Sequence, residues 1–148
     1  MKLKDILKVK GSKVWTVRED QTLLDAIHIL VNQKIGALLI FNKKNRLVGI
    51  ISERDMMNAC YAHSKELGII PVSDWMTEKV IIGSPEDDVK DIMAVMTEKR
   101  VRHIPVMVEN ELQGIVSIGD IVKSLLQDTA HEIQYLKEFM YGSAPEGL

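Results

Sequence analysis

At 148 residues the chain is long enough for one ordinary domain or two very small ones, and its 46% hydrophobic and 27% charged content is that of a folded globular protein. A net charge of −2 supplies no basic footprint for nucleic acid. No apolar run nears the roughly 20 residues that cross a bilayer, the N-terminus lacks the long apolar centre of a signal peptide, and the single Cys60 excludes an internal disulfide framework, so a reducing cytoplasm is the expected setting.

In chain order, Leu3, Ile6 and Leu7 have the spacing of a short amphipathic helix, placed at 1–9 and ended by Gly11. Val14 to Val17, with Trp15 and Thr16, is a brief β-prone run. Thr22 stands as an N-cap with Asp25 three residues on, opening a helix whose expected buried stripe is Leu23, Leu24, Ile27, Leu30 and Val31 and which Gly36 is expected to close. Ala37 to Phe41 is too continuously apolar for a surface strand. The polar NKKNR loop turns the chain back into Leu47 to Ile51 as a hairpin partner. From Ser52 a second helix is expected, with Met56, Met57, Cys60, Tyr61 and Leu67 on its apolar face, until Gly68 and Pro71 stop it.

The second half replays this order. Val80 to Ile82 is the brief run, and Asp88 and Asp91 stand at an offset of 66 from Thr22 and Asp25. Val89, Ile92, Met93 and Met96 make the helix stripe, Ile104 to Val108 the buried strand, and a short ENE loop leads to Leu112 to Val116. Gly49, Ser52 and Asp55 recur as Gly114, Ser117 and Asp120 at an offset of 65, so LVGIISERD and LQGIVSIGD are one strand-to-helix junction made twice. Two β-α-β-β-α units of roughly 60 residues are each marginal alone, which predicts an α+β fold with the repeats packed face to face through their sheets. Past Asp120 an apolar stripe of Ile121, Val122, Leu125, Leu126, Ile133, Leu136 and Met140 has no counterpart in the first half, and it is expected to pack on its own domain or on a second copy. The tail from Gly142 is expected to be disordered.

Each junction supports two readings. Ser-x-x-Asp before a helical stripe is a capping box, with the serine oxygen on a free N–H and the acid at the positive helix end. A glycine inside a buried strand, however, weakens the strand unless something approaches the backbone closely. A helix N-terminus offers N–H groups to anions, and an aspartate there accepts hydrogen bonds from a vicinal diol such as a ribose. Those are the parts of a nucleotide site.

The order of elements, the segments ALLIF…LVGIISERD and VRHIPVMV…LQGIVSIGD, and SDWMTEKV at 73–80 resemble a tandem pair of CBS domains, named from cystathionine β-synthase and often called a Bateman module. The resemblance covers about residues 10–127, with one repeat at 10–70, a second at 71–127, and a C-terminal helix and tail at 128–148. It implies pseudo-twofold symmetry and an adenine nucleotide, AMP, ATP or NAD(H), in the clefts between repeats, with no cofactor required. It further implies a regulatory role, a homodimer and a regulated partner that the sequence does not name. Carried over by position, Asp55 and Asp120 match the aspartate that holds the ribose hydroxyls, with Ser52 and Ser117 beside them. Gly36 and Ala37, and His103, Ile104 and Pro105, match the strand start whose backbone reads the adenine. Arg102 and His103 match positions that meet phosphate in some members, Arg54 is a further cation, and Thr16 lies in a segment that often touches the nucleoside, with Ile82 to Ser84 its counterpart. Because Glu53-Arg54 is replaced by Ile118-Gly119, and Gly36-Ala37 stands opposite Arg102-His103, the two clefts are not expected to be equivalent.

Other residues carry less. Cys60 aligns with Leu125 and is expected to be packed, His28 and His63 lack metal-ligand spacing, and His131-Glu132 lacks the second histidine of a zinc-protease helix. The duplicated Asp55 and Asp120 have no adjacent complementary groups, so no enzymatic activity and no catalytic residue are expected. The competing reading is a nucleotide-independent dimeric scaffold.

Overall fold

A computed structural model describes residues 1–140 of the chain; the tail expected to be disordered lies outside them. The elements are α1 (Leu3–Lys10), β1 (Thr16–Arg18), α2 (Leu23–Gln33), β2 (Ala37–Phe41), β3 (Leu47–Ser52), α3 (Glu53–His63), a 3-10 turn (Val72–Asp74), α4 (Val89–Lys99), β4 (His103–Val108), β5 (Glu111–Ser117) and α5 (Ile118–Met140). In the first repeat β1 runs parallel to β2, which pairs antiparallel with β3. In the second, β4 and β5 form an antiparallel pair, and both hairpins carry a register shift at the same place, after Ile40 and after Val106. The shorter second loop is a two-residue turn in which Glu109 and Asn110 both take positive φ, the type I′ signature that suits strand twist.

The strand expected at Val80 to Ile82 does not form. A single parallel bridge, Gly83 to Val106, stands in its place. Gly83 N–H donates to the Pro105 carbonyl and Met107 N–H to the Gly83 carbonyl, so residue 105 faces this edge with both its backbone groups. Proline has no N–H there, and the ladder cannot extend as it does beside Leu39 in the first repeat.

The buried residues fall into two clusters. One joins Leu23, Ala26 and Leu30 of α2 and Met56 and Ala59 of α3 to Leu38, Ile40 and Ile51. The other joins Leu3 and Ile6 of α1, Val89, Ile92 and Met96 of α4 and Ile121 of α5 to Ile104, Val106 and Val116. Leu38 and Ile40 face the helices, yet Ala37 and Leu39, pointing the other way, are buried as well. Both sheet faces are therefore covered, and the strands read as continuous apolar runs for that reason.

The lead-in segments are exchanged. α1 precedes the first repeat but packs on the second: Leu3 N–H bonds the Asp87 carbonyl, Val89 N–H bonds the Met1 carbonyl, and Lys2 bridges Asp88. The segment before the second repeat does the same for the first, with Val72 N–H on Gln21, Leu23 N–H on Ile70 and Thr22 bridged to Pro71. Leu3 and Val72, in these related positions, are both fully buried.

Several helix expectations are corrected. Leu24 and Val31 on α2, and Met57 and Tyr61 on α3, are exposed, because α2 buries the row Leu23, Ala26 and Leu30 and α3 the pair Met56 and Ala59. The alanines let these helices sit close to the sheet, which an apolar stripe judged by side-chain size overlooks. Helix α3 ends at His63, short of Leu67, and α2 ends at Lys34 in the left-handed conformation rather than at Gly36, a cap that Arg100 repeats after α4. At α4 Asp88 caps Lys90 N–H, with no reciprocal bond from Asp91. The stripe of α5 from Leu126 onward stays exposed instead of packing on its own repeat.

Candidate functional site

Both repeated junctions are capping boxes. Ser52 Oγ accepts from Asp55 N–H at 3.3 Å while Ser52 N–H donates to Asp55 Oδ2 at 2.9 Å; Ser117 and Asp120 repeat this at 3.1 and 2.9 Å. The helix starts are also tied to the residue ahead of each neighbouring strand, Glu53 N–H to the Gly36 carbonyl and Ile118 N–H to the Arg102 carbonyl.

The repeated glycines have a protein explanation. A Cβ on Gly49 would collide with the Met76 side chain and stand 3.1 Å from the Thr77 carbonyl, and one on Gly114 would lie 2.7 Å from Leu7 Cδ2. The exchanged lead-in segments therefore make the close approach that was expected of a ligand. Gly36 is likewise confined, since a Cβ there would sit 3.2 Å from His103 Cε1 and 3.0 Å from Glu53 Oε1.

The two junctions differ in what surrounds the aspartate. Asp55 borders a cavity of about 770 Å³ between the repeats, and six of the twelve residues singled out from sequence line it: Gly36, Ser52, Arg54, Asp55, Arg102 and His103. Ala37, Ile104 and Pro105 are buried in the strands instead, and Thr16 is exposed on β1. Ser117 and Asp120 lie at the related junction, outside this cavity. On Asp55 the hydroxyls of Ser52 and Thr77 and the Ser52 N–H all donate to Oδ2; among the described residues Oδ1 receives no hydrogen bond.

Asp120 is neutralised. Lys10 at the end of α1 donates its ammonium to Asp120 Oδ2 at 2.6 Å and to the Ile115 carbonyl at 2.8 Å. Partial burial pushes the Asp120 carboxyl upward, but the bonds from Lys10 and Ser117 outweigh it and leave the group below the ordinary carboxylate range. His103 is held below the usual imidazole value by burial first and by the nearby Lys10 charge second.

Sequence reasoning missed Glu53, Thr77, Lys79, Val80, Ile81, Met96, Thr97, Arg100 and Val101 in the cavity wall. Lys79, Val80 and Ile81 come from the lead-in to the second repeat, whose brief β-prone run marked the segment but assigned Ile82 to Ser84. Arg100 arrives through its left-handed cap, matched by Lys34 in the first repeat. With Arg54 and Arg102 these make four full cations against Glu53 and Asp55, around a wall that is apolar at Val80, Ile81, Met96 and Ile118. A cavity with one carboxylate oxygen open, cations near it and an apolar side can hold a polar diol, an anionic group and a flat ring together. Among the described residues no helix is long and apolar enough to cross a membrane, and no cluster of His, Cys, Asp or Glu is placed to hold a metal.

The family model for the CBS domain matches residues 3–62 and 72–127. The chain is 34% identical to the mitochondrial CBS domain-containing protein CBSX3 of Arabidopsis thaliana, over 95% of this chain and 72% of that one. It is also similar to the crystal structure of the CBS-domain containing protein ATU1752 from Agrobacterium tumefaciens, with a TM-score of 0.79 at 35% identity, covering 82% of this chain and 91% of the other. The CBS domain pair of protein MJ0100, solved in complex with 5′-methylthioadenosine and S-adenosyl-L-methionine, matches with a TM-score of 0.76 at 26% identity, over 86% of this chain and 98% of the other. One family model matched over both repeats, each of which packs against the lead-in segment of the other, carries a single conclusion: this chain belongs to the CBS domain family, as a tandem pair.

Proposed function

We propose that the chain is a regulatory module that binds one adenine nucleotide, of the AMP, ATP or NAD(H) kind, in the Asp55 cavity and reports its presence to a partner protein. The observation that carries this reading is the contrast between the aspartates: Asp55 has an open oxygen beside a cavity, whereas Asp120 is held by Lys10. Asp55 takes the ribose hydroxyls, Val80, Ile81 and the chain at Gly36 and His103 flank the base, and Arg54, Lys79, Arg100 and Arg102 meet phosphate. The adenosine-type ligands in the MJ0100 complex support the nucleoside half of this assignment. The cations favour a phosphate-bearing ligand over those uncharged or cationic ones.

No catalytic step is assigned. Ser52 Oγ accepts from Asp55 N–H and donates to Asp55 Oδ2, so its hydroxyl is committed to the helix cap. Binding acts instead through the two repeats, because the ligand contacts elements of both and stabilises the arrangement that joins them.

A thermal-shift panel of AMP, ADP, ATP, NAD, NADH and S-adenosylmethionine tests the reading. A ligand at 100 times its dissociation constant stabilises by about 2.7 kcal/mol, a rise of roughly 5 to 10 °C for a domain of this size. No shift with any of the six favours the nucleotide-independent scaffold.

A further inference from the structure

His103 stands at both junctions. Its backbone pairs with Ser117, the N-cap of α5 whose partner Asp120 is held by Lys10. Its ring reaches the first repeat, in the wall of the Asp55 cavity. A Cβ on Gly36 would stand 3.2 Å from His103 Cε1, 3.3 Å from Nε2 and 3.0 Å from Glu53 Oε1, so the ring and the Glu53 carboxylate converge on one point above Gly36. Among the described residues no hydrogen bond fixes the charge of the ring. Burial lowers its affinity for a proton first, Lys10 lowers it next, Asp120 and Glu53 raise it, and Arg102 lowers it again. The free chain therefore carries a neutral, mostly buried imidazole that shares a cavity with Arg54, Lys79, Arg100, Arg102 and Asp55.

We propose that His103 makes nucleotide binding proton-linked: the imidazole takes up a proton as the phosphates enter the Asp55 cavity, so that binding strengthens in mild acid. The inference rests on the reading of that cavity as a nucleotide site. Its sign follows from charge set against burial. The ring is already mostly buried, so a ligand adds little further burial, whereas its phosphates offset the cations that oppose protonation. A unit charge about 7 Å away, at an effective dielectric of about 20, changes a proton affinity by roughly tenfold or more. Glu53 then gives the imidazolium a partner on the first repeat. Coupling is reciprocal, so the proton tightens the nucleotide by the factor with which the nucleotide tightens the proton. Ala37 holds the related position in the first repeat and has nothing to titrate, which confines the linkage to one cleft.

The test uses the full chain and the tightest binder among AMP, ATP and NAD. Proton NMR follows the four histidine Cε1–H resonances against pH, His103 being identified by its loss in His103→Gln. Saturation with the nucleotide should raise the His103 midpoint by about one pH unit and leave those of His28, His63 and His131, which lie outside the cavity, in place. Lys10→Met should raise the midpoint of the free chain, since it removes a repelling charge and releases Asp120. By calorimetry, the affinity of the parent chain relative to His103→Gln should grow about fivefold from about pH 7.5 to about pH 5.5, a ratio that cancels the titration of the nucleotide's own phosphates. Binding with an unmoved His103 midpoint, a ratio independent of pH, or a midpoint indifferent to Lys10→Met would each overturn this proposal alone. If none of the three nucleotides binds, it falls together with the reading of the cavity.

Discussion

Lys10 lies 2.6 Å from Asp120, and among the described residues no cation pairs with Asp55. The two aspartates come from one duplicated junction and make the same capping bonds, so the difference comes from the lead-in segments. The first is a full helix whose last turn reaches Asp120, and the second shortens to a 3-10 turn that leaves Thr77 beside Asp55. A symmetric fold thus presents one closed and one open junction.

Lys10→Met should destabilise the chain modestly. The pair is partly exposed, which limits its contribution to about 1 kcal/mol or less, a fall of a few degrees in melting temperature. Asp120→Asn on top of Lys10→Met should add less than it does alone, and a double-mutant cycle by thermal melting measures the coupling.

Stability should fall in acid in two stages. Because the folded His103 sits below its ordinary value of 6.5, the unfolded chain takes up a proton first, and stability declines as pH drops below about 6.5 until the folded ring protonates too. Asp120, lowered in the folded state, contributes stability that is present above the usual carboxylate range and is lost as pH falls through its lowered folded value. Urea unfolding between neutral and acidic pH should show both stages, the first missing in His103→Gln and the second reduced in Lys10→Met.

Alanine at the repeated glycines should be unequal in cost. At Gly49 the new methyl meets the Sδ and Cγ of Met76, part-way along its side chain, and the fixed Thr77 carbonyl, predicting a loss of about 1 to 3 kcal/mol. At Gly114 it meets the tip of Leu7, which can rotate, predicting a smaller loss. Equal losses in chemical denaturation would contradict the packing account of these glycines.

Phosphate should strengthen binding. Adenosine is expected to bind more weakly than AMP and AMP more weakly than ATP, and Arg102→Ala should cost ATP about tenfold while changing adenosine little. Calorimetric titration of the series measures this directly.

The repeat and the capping junctions were legible in the sequence, because capping and duplication are local patterns with fixed offsets. What Gly49 and Gly114 accommodate was not legible: their neighbours Met76 and Leu7 come from exchanged segments, and no periodicity within a repeat points to the other one. Lys10 was hidden for the same reason, 110 residues away from its partner. The helix stripes misled where Ala26 and Ala59 were buried in place of larger exposed neighbours such as Val31 and Tyr61, since helix-to-sheet packing selects small side chains. Pro105 was visible but was read for a ligand, when its missing N–H also removes a strand.

Isothermal titration of ATP into the chain and into its Asp55→Asn and Asp120→Asn variants tests the central claim most directly. Asparagine keeps the helix cap, so the fold is retained while the ribose acceptor is weakened. One site per chain, lost or weakened at least tenfold in Asp55→Asn and kept in Asp120→Asn, is the predicted result. Binding that survives Asp55→Asn and disappears in Asp120→Asn would contradict it.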